Sequence, residues 1–136
     1  MTNAFRDQEK FMRACDQSTD EFNGTQFDMY CALIEEEHKE LQEAIAACDP
    51  VEILDALEDI VVVTIGAMHS MGADGEGGWK EVMKTNFAKI DKETGKVRKR
   101  EDGKVLKPIG WTPPDLKPFV TKGTAKSDSK NWIEPW

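Results

Sequence analysis

Glu35-Glu36-Glu37-His38-Lys39-Glu40-Leu41-Gln42-Glu43-Ala44-Ile45-Ala46-Ala47-Cys48-Asp49-Pro50-Val51-Glu52-Ile53-Leu54-Asp55-Ala56-Leu57-Glu58-Asp59 decides how this chain folds. Its middle carries a helix restart: Asp49 suits an N-cap, Pro50 suits the first helical position, and Glu52 can reach back from three residues on. A second helix therefore ends near Asp49 and a third begins there. So short a connection makes the two antiparallel neighbours. At roughly 100° per residue, Glu37 and Glu40 project within about 60° of each other and share an arc with Leu33, Leu41 and Ala44. On the next helix Asp55 and Asp59 are one turn apart and share a side with Val62 and Gly66. Both helices thus turn acids toward their apolar sides, and the antiparallel pairing brings those acids together.

Four converging carboxylates cost several kcal/mol in desolvation and repulsion unless something compensates, or else their pKa values rise. Mg²⁺ or Mn²⁺ relieves both costs, because hard divalent ions take oxygen ligands and keep positions open for water and phosphate. The competing reading of Glu35 to Glu40 is a solvated helix face, with Asp55 capping something locally and Glu58 facing elsewhere. Glu35-x-x-His38 has the spacing used in di-iron bundles, but that architecture needs a second such pair, and His69 has Gly66 three residues before it.

Working outward, Phe5 to Cys15 forms a short amphipathic helix with Phe5, Gln8, Phe11, Met12 and Cys15 along one side. Thr25 followed by Asp28 marks the start of the second helix. The third runs to about Ser70; from Ile60 to Ile65 it is apolar all round, which also suits a buried strand, and continuity with the capped segment favours helix. Gly72 to Gly78 reads as a loop and Trp79 to about Asp91 as a fourth helix. Lys96 to Lys107 then reads as a basic β-hairpin turning at Glu101-Asp102-Gly103. The expectation is an all-α bundle of about four helices, residues 1–117 with the hairpin 96–107, followed by an extended polar tail, 118–136, in which Trp132 and Trp136 are unusual.

The formal charge of −8, from 26 acidic against 18 basic residues, argues against stable nucleic-acid binding and against anionic membranes. The longest apolar run, around Ile60 to Met68, is far short of the ~20 residues that span a bilayer, and the start lacks a signal peptide's apolar stretch. Cys15, Cys31 and Cys48 lack C-x-x-C spacing and form no zinc pattern with His38 and His69. These features predict a soluble cytoplasmic protein with reduced thiols, and the 39% apolar content is low enough for helices to share a core with another subunit.

Two groups in the second half suit phosphate. Val82, Thr85, Asn86 and Lys89 fall on one side of the fourth helix, so an amide and an ammonium stand one turn apart; a solvated face is the alternative. Arg98, Arg100, Lys104 and Lys107 give the hairpin positive charge, which serves either a ligand or the protection of an exposed strand edge. No Gly-x-x-x-x-Gly-Lys-Ser/Thr loop is present, which excludes a P-loop site.

Together these residues resemble the MazG-like, all-α nucleoside triphosphate pyrophosphohydrolases. The matching motifs are Glu36-Glu37-His38-Lys39-Glu40-Leu41, then Asp59, then Gly72-Ala73-Asp74, then Asn86-Phe87-Ala88-Lys89. The resemblance spans about Leu33 to Asp115, and the ending Arg100 to Pro108 with Pro113-Pro114-Asp115 is similar to a phage and bacterial branch, including its dGTP-acting MazZ-type subgroup. One departure is Ala56, where many members carry Glu; Asp55 or Glu58 would substitute. The resemblance implies hydrolysis of a (d)NTP, a purine such as dGTP among the candidates, to monophosphate and pyrophosphate. It implies two or three Mg²⁺ or Mn²⁺ ions on Glu36, Glu37, Glu40, Asp55 and Asp59, with Glu36 also able to accept a proton from water. It further implies phosphate contacts from Asn86, Lys89, Arg100 and Lys104, a homodimer or homotetramer, and location in the cytoplasm, the host's if the protein is phage-encoded. The contrasting function is a non-catalytic helical oligomeric interaction module whose acids are solvated.

Overall fold

The Asp49-Pro50 restart forms as its residues dictate. In the computed structural model, which describes residues 3–120, α2 (Gly24–Ala46) and α3 (Pro50–Ser70) lie against each other as the main packed pair, and α1 (Ala4–Ala14) packs on α3. The Asp49 side chain accepts from the backbone N–H of Val51 at 3.1 Å and of Glu52 at 3.2 Å, and Pro50 opens α3 where its missing N–H costs nothing. Between the two helices Cys48 adopts φ 53°, the left-handed position at a helix end that glycine usually takes. The segment Ile60 to Ile65 is helical throughout.

Four boundaries differ from the sequence reading, one of them the end of the fourth helix, which stops at Phe87 rather than near Asp91 and leaves Lys89 in the turn beyond it. Asn23, not Thr25, caps α2: its side-chain oxygen accepts from Gln26 N at 3.0 Å, and asparagine outranks threonine as a cap. The same helix stops at Ala46, before the left-handed Cys48. The fourth helix, α4 (Gly75–Phe87), begins four residues before Trp79 and takes in most of the glycine-rich stretch. Packing overrides propensity there, since a methyl group on Gly75 would stand 3.0 Å from the Met68 sulfur and 3.2 Å from the Phe5 ring.

The described residues fall into two compact units, one running to Gly75 and the other Glu76–Phe119. In the first, Met12, Tyr30, Val63 and Ala67 form the buried core, with Phe27, Leu33 and Ile34 packed against it. A polar belt closes one end of the α2–α3 pair. Gln26 Nε2 donates to the Ser18 carbonyl and to Ser70 Oγ, both at 2.8 Å, while its Oε1 accepts from Ser18 N at 3.1 Å. Ser70 Oγ donates to the Gly66 carbonyl at 2.7 Å, and Asn23 N donates to the Ser70 carbonyl at 2.8 Å. Every one of these groups is buried or half-buried, so each bond replaces one lost to water.

In the second unit, Trp111 folds back on α4 and donates its indole N–H to the Thr85 carbonyl at 2.7 Å. A turn of 3₁₀ helix, Lys117–Phe119, follows, and Phe119 and Leu116 pack over Gly78. No strand forms among the described residues. Of the hairpin expected at 96–107, the structure shows an isolated antiparallel bridge, Lys99 to Val105, with Leu106 N donating to the Arg98 carbonyl. The tail with Trp132 and Trp136 lies outside the described residues. Among those described, no helix is long and apolar enough to cross a membrane.

Candidate functional site

The register of α2 on α3 places the acids. Gln26 bonds Ser70, and Tyr30 lies directly against Gly66, whose lack of a side chain lets the ring and the α3 backbone meet. A step of seven residues along α2 from Tyr30 reaches Glu37, and a step of seven back along α3 from Gly66 reaches Asp59. Seven residues are two helical turns, so this pair repeats the facing relation of Tyr30 and Gly66. Both carboxylates are half-buried at the contact, whereas Glu36, Glu40, Asp55 and Glu58 are exposed around it.

Electrostatics registers the crowding. The Glu37 carboxyl is pushed up to about 7, first by burial, then by the neighbouring Glu40 carboxylate and by the charges of Asp59 and Glu36. Asp59 is also raised, by burial first and then by Asp55, Glu40 and Glu58. Glu40 is the acid that both feel. One oxygen of Glu37, Oε2, is buried and has no hydrogen-bond partner among the described residues. A partnerless buried carboxylate oxygen beside repelling anions is what a divalent cation satisfies. The acids are nevertheless neighbours rather than a closed cage. As placed, no three His, Cys, Asp or Glu side chains among the described residues form a metal-binding group. Convergence on an ion would need rotations of Glu36, Glu40 or Asp55, and their exposure leaves them free to turn.

Continuing the register by three residues sets Ala56 opposite Glu40. Ala56 is 4% exposed, so a carboxylate in its place would sit in the α2–α3 contact itself. Asp55, one position off and exposed, instead acts on Asp59 through its charge.

The phosphate candidates all belong to the second unit. Asn86 and Lys89 are brought together: Lys89 Nζ donates to Asn86 Oδ1 at 3.1 Å. Lys89 Nζ also lies 5.0 Å from the centroid of the Trp111 ring, and Lys107 Nζ lies at the same distance from it. Sequence reading did not find Trp111, and its only sequence signal is its position just after the basic segment. Arg100 is held by Asp102 in its own turn, Nε to Oδ1 at 3.0 Å, which raises the guanidinium pKa and lowers that of Asp102. Lys104 is exposed in the same turn, where its backbone N–H also donates to Asp102. Among the larger aromatic rings, Phe27 packs against the core, while Phe11 and Trp79 are exposed.

A family model described as phosphoribosyl-ATP pyrophosphohydrolase matches residues 5–86, well over half of the chain. The matched span holds all the clustered acids and ends at Asn86, leaving Lys89, Arg100, Lys104 and Trp111 beyond it. No curated protein matches the chain.

Proposed function

The chain belongs to the phosphoribosyl-ATP pyrophosphohydrolase family, part of the MazG-like all-α pyrophosphohydrolase superfamily, and on that premise we propose that it hydrolyses a nucleoside triphosphate to the monophosphate and pyrophosphate. The observation that carries this reading is the Glu37 oxygen buried without a partner beside the charges of Glu40 and Asp59. Glu37, Glu40 and Asp59, with Asp55 and Glu36 beside them, would hold Mg²⁺ or Mn²⁺, two or three ions per site. When bound, such ions neutralise phosphate charge and make a bound water more acidic.

The protein's own groups have separate tasks in this scheme. Glu36 is exposed beside the cluster and accepts the proton of the water that attacks the α-phosphorus. The α–β bridging P–O bond breaks and pyrophosphate leaves with that electron pair. Asn86 and Lys89, already bonded to each other, hold phosphate oxygens. A deoxynucleotide such as dGTP is the substrate we favour from the ending Arg100 to Pro108. Phosphoribosyl-ATP, named in the family's description, is itself a substituted nucleoside triphosphate and calls for the same bond cleavage.

Assembly into a homodimer or homotetramer is part of the proposal. Leu54, Leu57, Val61 and Val62 on α3 are all at least 40% exposed, an apolar surface that a second copy would cover. The test of function is a screen of ribo- and deoxynucleoside triphosphates and phosphoribosyl-ATP with Mg²⁺ or Mn²⁺, measuring pyrophosphate and orthophosphate. Pyrophosphate release that is lost in folded Glu40→Gln or Asp59→Asn is expected. No turnover of any of these by folded protein overturns it.

A further inference from the structure

The second unit contains a cavity of about 530 Å³ that the acids of the first unit do not line. That volume falls within the range of small-ligand sites. Lys89, Lys92, Arg98 and Lys107 surround it, in a protein whose net charge is −8. Asp91 also lines it, its Oδ1 accepting from Glu93 N at 2.8 Å and Thr94 N at 3.3 Å, and its charge offsets only one of the four cations. None of the four cations forms an ion pair among the described residues. Arg100, by contrast, has its charge matched by Asp102.

Two of these ammonium groups are positioned by one aromatic ring. Lys89 and Lys107 each lie 5.0 Å from the Trp111 centroid, and the ring is anchored through its N–H to the Thr85 carbonyl. Cation–π attraction holds both ammonium groups to this one ring, so their positions are set before any ligand arrives. Leu106 N donates to the Arg98 carbonyl at 2.8 Å, tying the segment that carries Arg98 to the one that carries Lys107. The remaining wall is apolar: Ile90, Leu106 and Ile109 are all more than a third exposed, Ile109 completely.

We propose that this cavity is a metal-independent binding site for a nucleoside di- or triphosphate, its phosphates among Lys92, Arg98 and Lys107 and its base against Ile90, Leu106 and Ile109. A single carboxylate would leave most of the cationic charge unmatched, whereas a polyphosphate matches it. Long nucleic acid is disfavoured by the overall negative charge, which a small anion that meets only this local basic patch evades. The inference does not require the pyrophosphohydrolase reading of the acidic cluster.

The test is calorimetric titration of the full chain in EDTA at about 150 mM salt, with inorganic tripolyphosphate, ATP and dGTP as probes. Saturable binding is expected for all three, with the nucleotides tighter than tripolyphosphate because only they use the apolar wall. Arg98→Gln combined with Lys107→Gln should weaken it at least about tenfold, as loss of charge-assisted contacts does. Lys92→Gln, on an exposed turn, provides a second variant that leaves Trp111 untouched and should weaken it severalfold. Absence of saturable binding in EDTA, affinity unchanged in the folded variants, or an oligonucleotide competing as well as a nucleotide would each overturn the proposal. Loss of pyrophosphate release with EDTA binding intact counts against the acidic cluster alone, and the reverse counts against this site alone.

Discussion

Replacing Gly66 by alanine inserts a methyl group where α2 and α3 approach most closely. The added Cβ would stand 2.6 Å from Tyr30 Cδ1 and 2.7 Å from Cζ, and nearer still to Cε1. Ordinary carbon contacts begin near 3.5 Å, so the ring or the helix must move by about 1 Å. The ring cannot easily yield, being 5% exposed with its hydroxyl donating to Gln17 Oε1 at 2.5 Å. Overpacking of this kind costs about 1–3 kcal/mol, while Gly to Ala within a helix returns up to about 1 kcal/mol. The net expectation is a loss of about 1–2 kcal/mol, a fall of roughly 3–8 °C in Tm for a chain of this size. Urea unfolding followed by circular dichroism measures it, and Gly66→Ala combined with Tyr30→Leu should recover most of the loss, a non-additivity expected only of touching residues. Because Glu37 and Asp59 lie one seven-residue step along the same contact, Gly66→Ala should also weaken Mn²⁺ binding. A Gly66→Ala protein as stable as the parent, or more so, would refute the α2–α3 register on which the acidic site depends.

The raised Glu37 carboxyl sets a pH dependence of stability with a definite sign. Its folded value, about 7, lies above its ordinary value of 4.5, so its contribution is complete below about 4.5 and is lost as pH rises through 7. The metal-free protein should therefore lose Tm between pH 5 and pH 8, Glu37→Gln should flatten that loss, and Mn²⁺ should offset it at pH 8. A Glu37→Gln profile identical to the parent's would contradict this in a thermal melt series. Cys48→Gly should raise stability by about 0.5–1 kcal/mol by relieving the left-handed backbone at φ 53°, which denaturant midpoints can resolve. Gln26→Ala should cost about 2–3 kcal/mol, because Ser18 N–H and the Ser18 carbonyl lose their side-chain partner; a change under about 0.5 kcal/mol would mean that water replaces the amide.

The parts of the fold legible in the sequence were those with strong local chemistry. Asp49-Pro50-Val51-Glu52 fixed the α2–α3 corner, and helical spacing was enough to put Glu37 and Glu40 on one side and Asp59 on the other. What escaped was decided by contacts distant in sequence. The α4 start among glycines depends on close packing of Gly75 against Phe5 and Met68, which no propensity anticipates. Gln8 sits buried on α1 while Phe11 of the same expected face is exposed. The belt's Gln26–Ser70 bond joins residues 44 apart, and polar residue types give no hint of burial. In the second half, charge alone did not separate Arg98 and Lys107, which line a cavity, from Arg100, which its own turn neutralises.

The most direct test of metal-assisted attack at the α-phosphorus is turnover of a nucleoside triphosphate with Mn²⁺ in ¹⁸O-labelled water, followed by mass spectrometry of both products. The prediction is label in the nucleoside monophosphate and none in pyrophosphate, with turnover abolished by EDTA and by Asp59→Asn. Label in pyrophosphate, or turnover that persists in EDTA, would contradict it.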